Sequence, residues 1–142
     1  MRKIVPLAVA FACALVVAGL SVAAGSASWS APLTSGQEIP RQVAKDAAAH
    51  GQFTATLAGS KLKWKLTFAG LTGPATAAHI HLAAKGKSGN VVVALCGPCK
   101  SGQSGTATIP ASVKSAFAKH LLYVNVHTGK NAAGEIRGQL GG

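Results

Sequence analysis

The chain has 142 residues and a formal charge of +11, set by 14 lysines and arginines against three acids. So few carboxylates, scattered as Glu38, Asp46 and Glu135, exclude the paired-carboxylate chemistry of glycosidases and aspartic proteases. The length predicts one domain, and the basic balance favours anionic envelope polymers, or another protein, as partners.

Arg2 and Lys3 precede an almost uncharged apolar run from Ile4 to Leu20. Val22-Ala23-Ala24 and Gly25-Ser26-Ala27 both satisfy the small-x-small cleavage rule. Residues 1–27 therefore read as a secretory signal peptide, cut after Ala24 or Ala27, with a single domain over 28–142. That places the protein outside the cytoplasm, secreted or periplasmic, with no membrane span after cleavage. The same run is long enough to act as an uncleaved anchor. Bulky Phe11, two residues before Cys13, argues against lipoprotein processing there. Beyond the leader the lysines are dispersed and aromatics are few, so no specific nucleic-acid partner is expected.

Pro32, Gly36 and Pro40 interrupt the segment from Ser30 to Asp46, predicting a short edge strand near Leu33 and then a loop. Gln52 to Leu57 alternates, with Phe53, Ala55 and Leu57 on one face. After the Gly59-Ser60 turn, Lys61 to Phe68 puts Lys61, Lys63, Lys65 and Thr67 on one side and Leu62, Trp64, Leu66 and Phe68 on the other. Two such runs around a tight glycine turn predict an antiparallel hairpin, whose lysine stripe reads as its solvated face. The next strand runs through Ala78-His79-Ile80-His81-Leu82. Val91 to Leu95 is a continuous apolar run that predicts a strand buried on both faces. Thr106 to Ile109 is another strand, and residues 111–119, with Pro110 near the start, form the one helix candidate. Leu121 to His127 and Glu135 to Leu140 close the chain as strands. Seven or eight short strands with regular turns predict an all-β antiparallel sandwich or barrel.

Cys96-Gly97-Pro98-Cys99 has the spacing of a redox pair, but Lys100 to Gly105 is a poor helix and no βαβ pattern surrounds it. In an oxidising compartment the pair reads as a structural disulfide; redox activity and a thiolate metal site are the alternatives. No G-x-S-x-G elbow occurs, and Asp46 is the single Asp available to orient a histidine. Gly86-Lys87-Ser88 imitates the end of a phosphate loop, yet His81 stands where the first glycine is required, which excludes a P-loop NTPase.

Strand alternation puts His79 and His81 on one face, and likewise Tyr123, Asn125 and His127. Neutral imidazoles so arranged suit copper, zinc, nickel or iron. The alternative is a polar strand-face network, in which the rings hydrogen-bond to Asn125, Glu135, Arg137 or Gln139. His50 lies at a loop edge and His120 at the helix end, and both read as structural or solvated.

The motifs Leu33-Thr34-Ser35-Gly36-Gln37-Glu38-Ile39-Pro40, Ala78-His79-Ile80-His81, Tyr123-Val124-Asn125-Val126-His127-Thr128 and Gly134-Glu135-Ile136-Arg137-Gly138-Gln139-Leu140 together resemble the CHRD (chordin-type) domain family. The likeness runs from Pro32 to Leu140 and implies an immunoglobulin-like β-barrel of Greek-key type, found alone in exported bacterial proteins. It implies a non-enzymatic binding or envelope-associated module of unknown ligand. That family is faintly similar to copper/zinc superoxide dismutases, which implies copper ligands at His79, His81 and His127 as the alternative function. A bridging histidine, a zinc loop and a charged electrostatic loop are all missing, so dismutase activity is not implied.

Overall fold

The computed structural model describes residues 25–40 and 48–142, so most of the segment expected to be a leader, with Cys13, and Asp46 lie outside the described residues. Within them the chain forms β1 (Ala27–Thr34), β2 (His50–Ala58), β3 (Lys61–Ala69), β4 (Ala75–Leu82), β5 (Val91–Cys96), β6 (Gln103–Thr108), α1 (Ala111–Ala118), β7 (Leu122–Thr128) and β8 (Ile136–Gln139). Of the two expected cleavage points, the one after Ala24 precedes β1 and the one after Ala27 falls inside it. Among the described residues no helix is long and apolar enough to cross a membrane.

The strands form one antiparallel sheet in the order β5-β4-β7-β8-β1-β2-β3-β6. Its end strands β5 and β6 touch, so the sheet curls into a nearly closed barrel of two four-stranded layers. Sequence neighbours β3 and β4, and again β5 and β6, lie in different layers, which are crossovers of Greek-key type. The hairpin read from the lysine stripe is present, with Phe53 opposite Leu66 and Ala55 opposite Trp64.

Alternation explains the core. Ala31 and Leu33, Phe53 and Ala55, Leu62, Trp64 and Leu66, Ile80, Val124, Val126 and Ile136 all face inward and are buried. Burying each large apolar side chain contributes roughly 1.5–3 kcal/mol. The helix adds Val113, Ala116 and Phe117, with Phe117 against Trp29 at 5.4 Å between ring centroids. It ends where His120 turns left-handed (φ 53), with bonds from His120 N–H to Phe117 O and from Leu121 N–H to Ala116 O.

Two strands differ from the sequence expectation. β1 is no short edge strand: it runs eight residues and lies between β8 and β2. Proline is tolerated there because its missing N–H points across the β1–β8 seam, the side to which Ser30 N–H donates to Gly141. That seam is thin, held by Thr34 opposite Arg137 and Ser30 opposite Gly141. β5 is not buried on both faces. It is an end strand on which Val91 is 50% exposed and Val93 alone is buried, because a continuous apolar run cannot encode a neighbour on one side only.

Cys96 and Cys99 are bonded to each other. Cys99 N–H donates to Ala75 O, which ties the clip to the start of β4. Beyond Cys99 the chain makes a turn and enters β6, without the helix that thiolate chemistry of the thioredoxin type requires.

Gly138 sits on the seam, where an added Cβ would lie 2.3 Å from Pro32 O. Gly138→Ala is expected to cost on the order of 2–3 kcal/mol, read as a lower urea midpoint at unchanged slope. Replacing both Cys96 and Cys99 by serine opens a short loop and is expected to cost about 2 kcal/mol in the same measurement.

Candidate metal centre

β4 pairs with β7 so that His79 stands opposite Asn125, His81 opposite Tyr123 and Ala77 opposite His127. Period-2 alternation sends Ala78, Ile80, Val124 and Val126 into the core, so the imidazoles share the outer face. His127 is the diagonal neighbour of His79, and small Ala77 opposite it leaves the space between the rings open. His79 Nδ1 lies 3.0 Å from His127 Nε2. One nitrogen from each of His79, His81 and His127 lies within 4.8 Å of the other two.

Each ring but one is pinned by a backbone carbonyl. His81 Nδ1 is 2.9 Å from Gly89 O, and His127 Nδ1 is 2.9 Å from Ala132 O. A carbonyl only accepts, so both Nδ1 atoms carry hydrogen and both Nε2 atoms keep their lone pairs. His79 Nδ1–H then donates to His127 Nε2. His81 Nε2 is buried with no hydrogen-bond partner, an unpaired acceptor on one of the three clustered rings. The His81 ring stacks on Tyr123 at 4.7 Å, and the Arg137 guanidinium covers the other face of the tyrosine ring at 3.4 Å.

Burial and mutual repulsion favour the neutral form of His79 and His127. Burial lowers the pKa of His79, and the neighbouring His127 and His81 lower it further. Burial also lowers that of His127, outweighing the bond to Ala132 O. Neutral imidazole is the form that ligates metal.

The strand-face residues separate into two groups. Tyr123, Asn125 and Arg137 share the histidine face, with Asn125 between His79 and Arg137 across the sheet. Gln139 donates to Ala83 O and His120 O at its margin. Glu135 is elsewhere. It precedes β8, and its carboxylate accepts hydrogen bonds from Thr72, Thr128 and Asn131. Burial pushes that carboxyl up, and these bonds outweigh it and hold it below the usual range. The rings bond to one another and to loop carbonyls, not to Asn125, Glu135, Arg137 or Gln139.

Glu38, which the strand patterns did not single out, is 4% exposed beside this face. Gly134 (φ 131) makes room for it: a Cβ there would lie 2.6 Å from Glu38 Oε1 and 2.7 Å from Asn125 Nδ2. Burial pushes the Glu38 carboxyl up to about 7, against the lowering influence of Arg137 and of a backbone bond at Ile39.

A family model described as CHRD domain matches residues 29–140. No curated protein and no solved structure matches the chain.

A carboxyl raised on folding stabilises the protein at low pH, and that contribution is lost as pH rises from 4.5 through about 7. Glu38→Gln is therefore expected to gain on the order of 2 kcal/mol over the parent at pH ~8 and little at pH ~4, measured by urea unfolding at both values.

Proposed function

Because the chain belongs to the CHRD-domain family, from residue 29 to residue 140, we propose that it is an exported CHRD module that holds one copper-type ion on His79, His81 and His127. One observation carries the reading: three imidazoles converge, with nitrogens within 4.8 Å of one another. Metal–imidazole bonds of about 2.0–2.1 Å space ligand nitrogens roughly 3.3–4.2 Å apart, so ring shifts on the order of 1 Å complete the site.

The donor set sorts the metals. All-nitrogen ligation without a carboxylate suits copper or zinc and disfavours calcium and magnesium. Gly89 O and Ala132 O are the outer partners that orient two of the rings. Binding requires His79 to move its hydrogen from Nδ1 to Nε2, a tautomeric shift that releases no net proton. Three protein ligands leave a fourth position for water or a small molecule. The leader-like run up to Ala24 and the Cys96–Cys99 bond support an oxidising, extracytoplasmic setting.

Titration of the purified protein with Cu(II), followed by electron paramagnetic resonance, is expected to saturate at one ion per chain with imidazole nitrogen hyperfine structure. The His79→Ala/His81→Ala double variant should lose that signal, and His50→Ala should keep it. An undiminished signal in the double variant refutes the assignment.

A further inference from the structure

The opposite layer has a different chemistry. Lys61, Lys63 and Lys65 of β3 are exposed on its outer face, about 7 Å apart as alternate residues of one strand. Lys63 lies between Thr56 on β2 and Thr106 on β6, and Lys65 between Thr54 and Ser104. β1 extends both rows, with Ser28 opposite Thr56 and Ser30 opposite Thr54. Each of these two lysines is thus the single charge in a four-strand row of hydroxyl side chains. A groove of about 580 Å3 is lined by Ser28, Ser30, Thr54, Thr56, Lys63 and Lys65 among others.

Among the described residues no acidic side chain answers this charge. Among the described residues the acidic side chains are Glu38 and Glu135, and both are buried away from this face. Lysine charge flanked by hydroxyl donors is the chemistry that contacts phosphate oxygens. The outward positions of these strands carry Ser, Thr, Lys, Gln, Ala and Pro, with one imidazole, His50, beyond the lysine rows at the start of β2; Trp29 and Trp64 also line the groove, but both belong to the inward-facing set, half-buried and buried. The close lysine pitch fits charges that recur once per short monomer, not once per disaccharide.

We propose that the outer face of β1-β2-β3-β6 binds a linear polyol-phosphate chain, laid along β3 with its phosphates on Lys61, Lys63 and Lys65. This surface is in the layer opposite the imidazoles and stands or falls independently of the metal site.

The test is fluorescence anisotropy of end-labelled poly(glycerol phosphate) with the purified protein. Binding is expected at about 50 mM salt, weakening with a log–log slope near −2, as neutralising about three phosphates requires. Lys61→Gln/Lys63→Gln/Lys65→Gln should weaken binding about ten-fold or more. Lys85→Gln/Lys114→Gln/Lys130→Gln, which removes equal charge elsewhere, should stay within about two-fold. Circular dichroism confirms that both variants fold. Equal losses in the two variants overturn the proposal in favour of diffuse charge, and absence of binding by the parent protein overturns it outright. Tighter binding of single-stranded oligothymidylate of equal charge overturns the choice of polymer.

Discussion

Antiparallel pairing of β4 with β7 is the constraint on which everything else depends. Its register puts Ile80 against Val124 and Ala78 against Val126, all four buried. The intervening positions carry His79, His81, Tyr123 and Asn125, and so the whole polar set goes to the outer face. A slip of one residue would drive the imidazoles into an apolar core and leave Ile80, Val124 and Val126 in water. Burial of those three side chains is worth several kcal/mol, at roughly 1.5–3 kcal/mol each, so the hydrophobic effect fixes the geometry of the polar site. The histidines need no attraction for one another to be held together.

The outer face of such a sheet is ordinarily solvated, and here it is roofed by backbone. The carbonyls of Ala83, Lys87, Gly89 and Ala132 all point down onto it. Acceptors above require donors below. Arg137, Gln139 and the Nδ1–H groups of His81 and His127 supply them. This complementarity selects the tautomer of two imidazoles and, by using up Nδ1, leaves Nε2 as the acceptor: that of His127 takes the His79 hydrogen, and that of His81 is unpaired. Tyr123, stacked between His81 and Arg137, keeps the ring plane upright while the carbonyl sets its rotation. The cluster is therefore preorganised by its roof as much as by its strands.

Charge is divided between the layers. The two described acidic side chains are spent inside: Glu135 on Thr72, Thr128 and Asn131, and Glu38 beneath the roof near Arg137. With its carboxylates buried, the described surface carries lysines that nothing neutralises, and three of them line one strand of the opposite layer. An imidazole cluster without a carboxylate on one side and a cationic hydroxyl-rich face on the other both stem from the same scarcity of acids.

Local patterning was enough for much of this. Alternation in Lys61 to Phe68 places β3 and its hairpin, and alternation about His79, His81 and His127 puts three imidazoles on polar strand faces whatever strands lie beside them. Both depend on the pleat alone, which every strand shares. Glu135 shows where that logic stops. Its odd-numbered position should join Arg137 and Gln139, but it lies before β8, beyond the reach of the pleat, and bonds to Thr72, a residue 63 positions away. The carbonyls of Gly89 and Ala132 belong to loops with no periodicity, and backbone atoms carry no side-chain signature, so nothing in the residue order marks them as partners. The same holds for β5, whose apolar run is equally compatible with a central or an end strand. By itself the sequence determined which side chains each strand turns outward, because covalent geometry and burial dictate that. Tertiary structure alone decided which strands lie side by side, which loops cover them and which partner each ring nitrogen meets, because those depend on contacts between segments far apart in the chain.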